Sequence, residues 1–386
     1  MKKIFVVLCC ALAMISFISC TQKENTAAQY KVAMVTDYGD ITDESFNQIT
    51  YEAGKKFCHI NKIDYKYFRP ASDSTADRVA AIEQAVAEGF NVFLCPGYAF
   101  AGTIVEVSPI YPDVKFIALD VSAGDILAAA IPNYDYDPSK YNVEDYYNAK
   151  SVYCAIYKEE LAGYMAGYAA VKLGYKHLGF LGGMAVPAVI RYGYGYVQGA
   201  NDAAKELNIE NEIIIEYVYG NQFYGDADIT AYMDTWYKDK KVEVVFACGG
   251  GIYTSAAEAA KKVAGTKIIG VDVDQKATID AYASGITVTS AMKGLAATVN
   301  TLLTETILNN NWANYAGKIE TLGLISEIPS ENYVALPEST AWNSGFTQDD
   351  YKKLVKEMFH GNIKVSDEIG AEPKTAIKVN YYGNIK

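Results

Sequence analysis

Lys31–Gln48, KVAMVTDYGDITDESFNQ, runs from an apolar stretch into a polar loop and then into what reads as a first helix. Strand, loop and helix in that order open a βαβ unit, and the succession repeats along the chain. A turn accounts for Gly39 and the aspartates, since Gly tolerates positive φ and Asp bonds its own backbone. It does not account for Phe46-Asn47-Gln48 directly behind them. The junction is therefore either helix-capping chemistry or the wall of a ligand site.

After Tyr30 short apolar runs alternate with longer amphipathic ones. KVAMVTD, IDYKYF, NVFLCPG, VKFIALD and LAAAIPN read as strands of a first set. HLGFLGG, EIIIEYVYG, VEVVFACGG, KIIGVDVD and ITVTSAM read as a second. Helical stretches lie between, such as STADRVAAIEQAVAEG, which opens at Ser74 and closes at Gly89. Apolar strands flanked by helices imply parallel sheets covered on both faces. Ten strands in 386 residues divide into two doubly wound α/β domains.

The irregular stretch Asp135–Ala149, DYDPSKYNVEDYYNA, marks the expected boundary. A return to the first domain is expected near Thr287–Gly294 and a further crossing near Leu324–Pro329, so that several crossovers make a hinge. The expected division is residues 30–140 with 287–325, and 141–286 with 326–386. LAGYMAGYAAVKLG is expected to lay an Ala/Gly face against a sheet.

The net charge of −12 argues against nucleic acid or anionic lipid headgroups as partners, and no Lys/Arg-rich block offsets it. Residues 1–19 carry Lys2 and Lys3 followed by an apolar run too short to span a membrane, and read as an export signal. Its removal takes two lysines and no acid, moving −12 to −14. The segment resembles a bacterial lipoprotein signal, with Cys20 as the lipidated residue and residues 20–29 as a polar tether. Anchoring outside the cytoplasm at the cell membrane is then expected. Most of the 32 tyrosines are assigned to surface and interface packing.

Cys58, Cys95, Cys154 and Cys248 form no CxxC or Cys/His cluster, which argues against structural zinc and thiol redox chemistry. One disulfide among them is open. GxSxG and HExxH are absent, and His59, His177 and His360 have no catalytic context, so no enzymatic activity and no cofactor are expected.

Three strand-like runs end in aspartate, at Asp37, Asp120 and Asp272. Ligands of open α/β sheets sit beyond the carboxyl ends of strands. Carboxylates placed there accept from hydroxyl and N–H donors and disfavour anions. Each one singly is explained as a turn former; together they point to a site. Gly249-Gly250-Gly251 follows VVFAC and precedes a helical run, which suits either a tight turn or close backbone approach to a ligand. Lys293 follows an apolar strand, where it donates to a hydroxyl, balances Asp272, or is simply solvated.

TDYGDITDESFNQ, GYMAGYAA, GFLGGMAVPAVIRYGYGYVQGAN, VVFACGGG, IGVDVDQ and TSAMKG, in that order, resemble the basic membrane protein family of ABC-transporter substrate-binding lipoproteins. The resemblance runs from about Val32 to beyond Tyr351. It implies a type I periplasmic-binding fold and capture of a purine nucleoside (inosine, guanosine or adenosine) for delivery to ABC permease and ATPase subunits. The family also includes members for other flat ligands such as riboflavin; a sugar binder or an exported nucleoside hydrolase is the remaining alternative. By position, the resemblance makes Phe46 one aromatic face for the base, with Asn47 bonding the base edge and Asp120 the ring N–H. Phe223 is the opposite face, with Tyr224 its rival. Gly249, Asp272 and Lys293 take the ribose hydroxyls, and Asp37 shapes the loop. Tyr38, Asp40 and Glu44 depart from the family pattern and are expected on the rim.

Overall fold

The computed structural model describes residues 29–37 and 39–386. The export signal, Cys20, nearly all of the tether and Tyr38 lie outside the described residues. Among the described residues thirteen strands form two sheets. The first sheet holds β1 (Lys31–Val35), β2 (Asp64–Phe68), β3 (Val92–Pro96), β4 (Lys115–Leu119) and β5 (Val152–Tyr157). The second holds β6 (His177–Gly182), β7 (Ile214–Tyr219), β8 (Val244–Cys248), β9 (Lys267–Asp272) and β10 (Thr287–Lys293). β11 (Ile319–Leu322) extends the first sheet, whereas β12 (Val334–Ala335) and β13 (Lys378–Asn384) flank the second.

The spatial orders are β11-β5-β4-β3-β1-β2 and β12-β10-β9-β8-β6-β7-β13. Every pairing is parallel except β10 with β12. The two lobes thus repeat one doubly wound order, in which strand order reverses beside the first strand of each lobe. β3 and β8 are buried throughout, as strands covered on both faces by helices must be.

Helix Thr75–Ala87 begins where Ser74 accepts from Asp77 N–H, and Gly89 follows at φ +87°, matching the expected limits. LAAAIPN is not a strand. Ala123–Ala130 is a helix, because Ser122 and Asp125 form a reciprocal capping box and Leu-Ala-Ala-Ala are strong helix formers. The fifth strand of the first lobe is instead SVYCAIY, unread in the sequence. Asp135–Ala149 is consequently an excursion before β5 rather than the exit from the lobe. Two of its tyrosines gather with Tyr134, whose ring lies 5.3 Å from Tyr136 and 5.7 Å from Tyr141.

The chain leaves the first sheet after Tyr157, returns after Lys293, and leaves again after Leu322. β10 therefore belongs to the second sheet, contrary to the expected return at Thr287. Helix Leu295–Leu303 is the element that packs back onto the first lobe, against helix Phe46–Asn61.

Helix Glu159–Lys172 lies against β10 and β12 as well, but its glycines meet another helix, Pro187–Leu207. A Cβ on Gly163 or Gly167 would sit 2.1 or 2.0 Å from the Tyr192 or Tyr196 carbonyl oxygen. Gly195 and Gly199 face the Glu160 and Tyr164 carbonyls in the same way. Only hydrogen fits at these four positions. Many tyrosines are core residues after all: Tyr153, Tyr157, Tyr192, Tyr196, Tyr217 and Tyr237 are fully buried, and Tyr217 stacks on Phe180 at 4.4 Å. Cys58, Cys95, Cys154 and Cys248 are buried free thiols. Among the described residues no helix is long and apolar enough to cross a membrane, and no His/Cys/Asp/Glu group is arranged to hold a metal.

Candidate functional site

A cavity of about 480 Å³ lies between the lobes at the carboxyl ends of the strands. Phe46, Asn47, Asp120, Phe223, Gly249, Asp272 and Lys293 all line it, and so do Asp37 and Tyr224.

The loop after β1 divides its labour. Asp43 accepts from the backbone N–H groups of Ser45, Asn47 and Gln48 at 2.9–3.0 Å and from Asn47 Nδ2 at 3.1 Å. It therefore caps helix Phe46–Asn61. Burial pushes its carboxyl pKa up, against the pull of these four donors. Ser45, at the N-cap itself, makes no capping bond. Its Oγ crosses to the other lobe and donates to Asp272 Oδ2 at 2.6 Å. The junction is both capping chemistry and cavity wall, carried by different residues. Phe46 and Asn47, in the first turn of the capped helix, face the cavity, and Asn47 Oδ1 is buried without a partner. Asp37 accepts from Gly39 N–H at 2.8 Å, which fixes the turn.

Asp120 and Asp272 end β4 and β9 in the left-handed region, at φ 60° and 65°. Aspartate is one of the few side chains that enters that region at modest cost. Lys293, ending β10, is not solvated. Its side chain is 3% exposed, and Nζ lies 2.6 Å from Asp120 Oδ2, 3.5 Å from Glu159 Oε1 and 3.8 Å from Asp272 Oδ1. Burial opposes the charge, but the three carboxylates outweigh it and hold the ammonium pKa above its ordinary range. Asp272 responds differently. Burial pushes its pKa up to about 6, although Lys293 and the Ser45 hydroxyl pull it down. Asp120 Oδ1 is buried without a partner.

Phe223 owes its seat to glycine. A Cβ on Gly183 or Gly249 would approach Phe223 Cδ1 to 2.3 or 2.8 Å. Gly249 and Gly250 take φ +140° and +50°, and Gly251 N–H donates to the Phe223 carbonyl at 2.8 Å. The triplet thus serves the aromatic wall as well as a turn. Tyr224 is 56% exposed.

The sequence reading missed Glu159 and Arg191. Arg191 lines the cavity, and its Nε donates to Glu159 Oε2 at 2.7 Å. Glu159 is fully buried, and burial raises its pKa while Arg191 and Lys293 lower it. The available signal was an acidic pair opening the otherwise apolar KEELAGYMAGYAA, and one arginine among the tyrosines of IRYGYGY. Of the rim residues, Asp40 pairs with Arg69 at 3.2 Å, both half exposed. Glu44 is not part of the cavity lining; its carbonyl accepts from Gln275 Nε2 of the other lobe at 2.9 Å.

Residues 30–368 match the family described as ABC transporter substrate-binding protein, PnrA-like. The chain belongs to that family. Among its relatives, basic membrane protein B of Borreliella burgdorferi is 25% identical over 350 residues, covering 87% of this chain and 93% of that one. The ABC transporter nucleoside-binding protein BmpA of Lactococcus lactis is 25% identical over 258 residues, 64% of each chain. Of solved structures, an ABC transporter solute-binding protein from Aeropyrum pernix superposes with a TM-score of 0.66 at 17% identity, covering 88% of this chain and 94% of that one. Another from Conexibacter woesei gives 0.60 at 19%, covering 88% and 99%. These likenesses establish the type I periplasmic-binding fold. A PnrA-like substrate-binding protein captures a solute for an ABC importer, and the cavity between its lobes is where this chain holds converging polar groups and aromatic walls.

Proposed function

We propose that the cavity captures a purine nucleoside and that closure around it presents the loaded protein to an ABC permease with its ATPase. One observation carries this reading: two buried acceptors, Asn47 Oδ1 and Asp120 Oδ1, are without partners in a cavity walled by Phe46 from one lobe and Phe223 from the other. A buried unpaired acceptor costs about 1–3 kcal/mol, so both favour a ligand that donates. A flat base with ring N–H groups between aromatic walls meets that preference, and ribose hydroxyls suit Asp272, Lys293 and the Gly249 backbone. The nucleoside-binding relative from Lactococcus supports the same class. Lipidation at Cys20 would hold the protein at the outer face of the membrane.

The lining carries six aspartates against three cations, and Lys293 and Arg191 are already paired with carboxylates. A 5′-phosphate is therefore unwelcome. The test is calorimetry with inosine, guanosine, adenosine, inosine monophosphate, riboflavin and ribose. A nucleoside is expected to bind at least tenfold tighter than the monophosphate, about 1.4 kcal/mol. Binding of riboflavin or ribose alone, or ribose release from inosine, overturns the reading.

A further inference from the structure

Gln275 lies outside the cavity lining, yet it is 1% exposed and every polar group of its side chain is engaged. Its Oε1 accepts from Val271 N–H at 2.9 Å, and its backbone N–H donates to Ser290 Oγ at 3.1 Å. Both bonds stay within the second lobe and wrap the side chain around the strand end that carries Asp272. Its Nε2 does not stay there: it donates to the Glu44 carbonyl of the first lobe at 2.9 Å. Glu44 stands at φ 52°, a conformation that a glutamate holds only when its surroundings impose it. One residue on, Ser45 gives its hydroxyl to Asp272 rather than to its own helix. Thr278 adds a third bond, to Glu44 Oε2 at 3.3 Å. Gly270 leaves room for this side chain, since a Cβ there would sit 2.7 Å from Gln275 Oε1.

We propose that Gln275 is a positioning residue of the binding site: through Glu44 and Ser45 it ties the start of the Phe46 helix to the Asp272 strand end, and so stabilises the closed arrangement without touching ligand. Its donor is satisfied by protein only when the lobes are together. The bond therefore favours closure whether or not the cavity is filled. A protein that closes more often when empty binds more tightly, because apparent affinity scales with the competent fraction. One net hydrogen bond is equivalent to about a fivefold change in that fraction.

The proposal concerns the empty protein first, so it stands or falls separately from the nucleoside reading. Gln275→Met removes the cross-lobe donor and the bond to Val271; Ser45→Ala removes the neighbouring crossing bond; Thr278→Val, half exposed, removes the outermost. Solution scattering of each ligand-free variant is compared with the native chain, alongside calorimetry with inosine and thermal unfolding. Expected are a larger radius of gyration without ligand in Gln275→Met and Ser45→Ala, and an inosine affinity lower by about fivefold. Thr278→Val should shift both in the same direction by less. A lower melting temperature with unchanged ligand-free scattering means Gln275 is merely structural and overturns the proposal. If Gln275→Met does not fold, unchanged scattering in Ser45→Ala and Thr278→Val overturns it equally. If the native chain ignores inosine, the nucleoside reading fails while the ligand-free scattering still decides the role of Gln275.

Discussion

Asp120 and Asp272 begin as the same feature. Each ends an apolar parallel strand, each adopts a left-handed backbone, and each carries its carboxylate to the cavity. What separates them is the group that the opposite lobe brings. Asp120 receives a cation at 2.6 Å and keeps one oxygen open. Asp272 receives a neutral hydroxyl at 2.6 Å with the cation more distant at 3.8 Å, and its pKa is pushed up to about 6. Identical local structure thus yields a firmly paired anion in one lobe and a poorly compensated one in the other. Charge at this site is a property of the closed pair of lobes, not of either strand.

The strongest way to break the comparison is to remove the cation both share. Lys293→Met leaves Asp120, Asp272 and Glu159 buried without it, and removing one partner of a buried pair costs about 3–5 kcal/mol. Chemical denaturation is expected to show a loss of that size. A stability within about 1 kcal/mol of native would mean that the carboxylates are compensated elsewhere.

The two carboxamide variants should then differ in sign. Asp120→Asn deprives Lys293 of its closest anion and is expected to destabilise by about 1–3 kcal/mol at pH 7. Asp272→Asn removes a carboxylate whose ionisation burial opposes, while its amide oxygen still accepts from Ser45. It should leave stability unchanged or raise it by about 1 kcal/mol. Equal losses in both would erase the distinction.

The aromatic walls extend the same contrast between lobes. Phe46→Ala and Phe223→Ala should each weaken nucleoside binding by roughly 1–3 kcal/mol, one to two orders of magnitude. Folding should survive in both, as checked by thermal unfolding beside calorimetry. Unchanged affinity in a folded variant removes that ring from the site.

A pH profile isolates the carboxyl on which the comparison turns. Asp272 has a native pKa above its unfolded value, so the folded state holds its proton more readily. Its contribution to stability is fully present below about pH 4 and is lost as pH rises through about 6. Asp272→Asn should flatten that part of the stability profile. A profile unchanged by Asp272→Asn would assign the titration to another buried carboxyl, such as Glu160, whose pKa burial raises to about 7.

Much of this molecule was legible in its sequence, for reasons that are local. Ser74 and Gly89 bounded a helix through capping chemistry, β3 and β8 announced themselves by apolar runs, and aspartate at three strand ends pointed to the cleft. LAAAIPN was misread because its apolar residues carry no period of their own, and the deciding signal was the Ser122–Asp125 box just before it. SVYCAIY was lost in a tyrosine-rich neighbourhood that reads as loop.

By itself the sequence determined the alternation of strands and helices, the family, and which residue types stand at the mouths of the strands, because propensity, periodicity and capping act over a few residues. Only the tertiary structure decided that β5 belongs to the first sheet and β10 to the second. It alone buried Lys293 among carboxylates and turned the Ser45 hydroxyl away from its helix toward Asp272. The contacts responsible join residues 173 and 227 positions apart. No local pattern encodes such partners, since the burial that makes an ion pair strong exists only once two lobes meet.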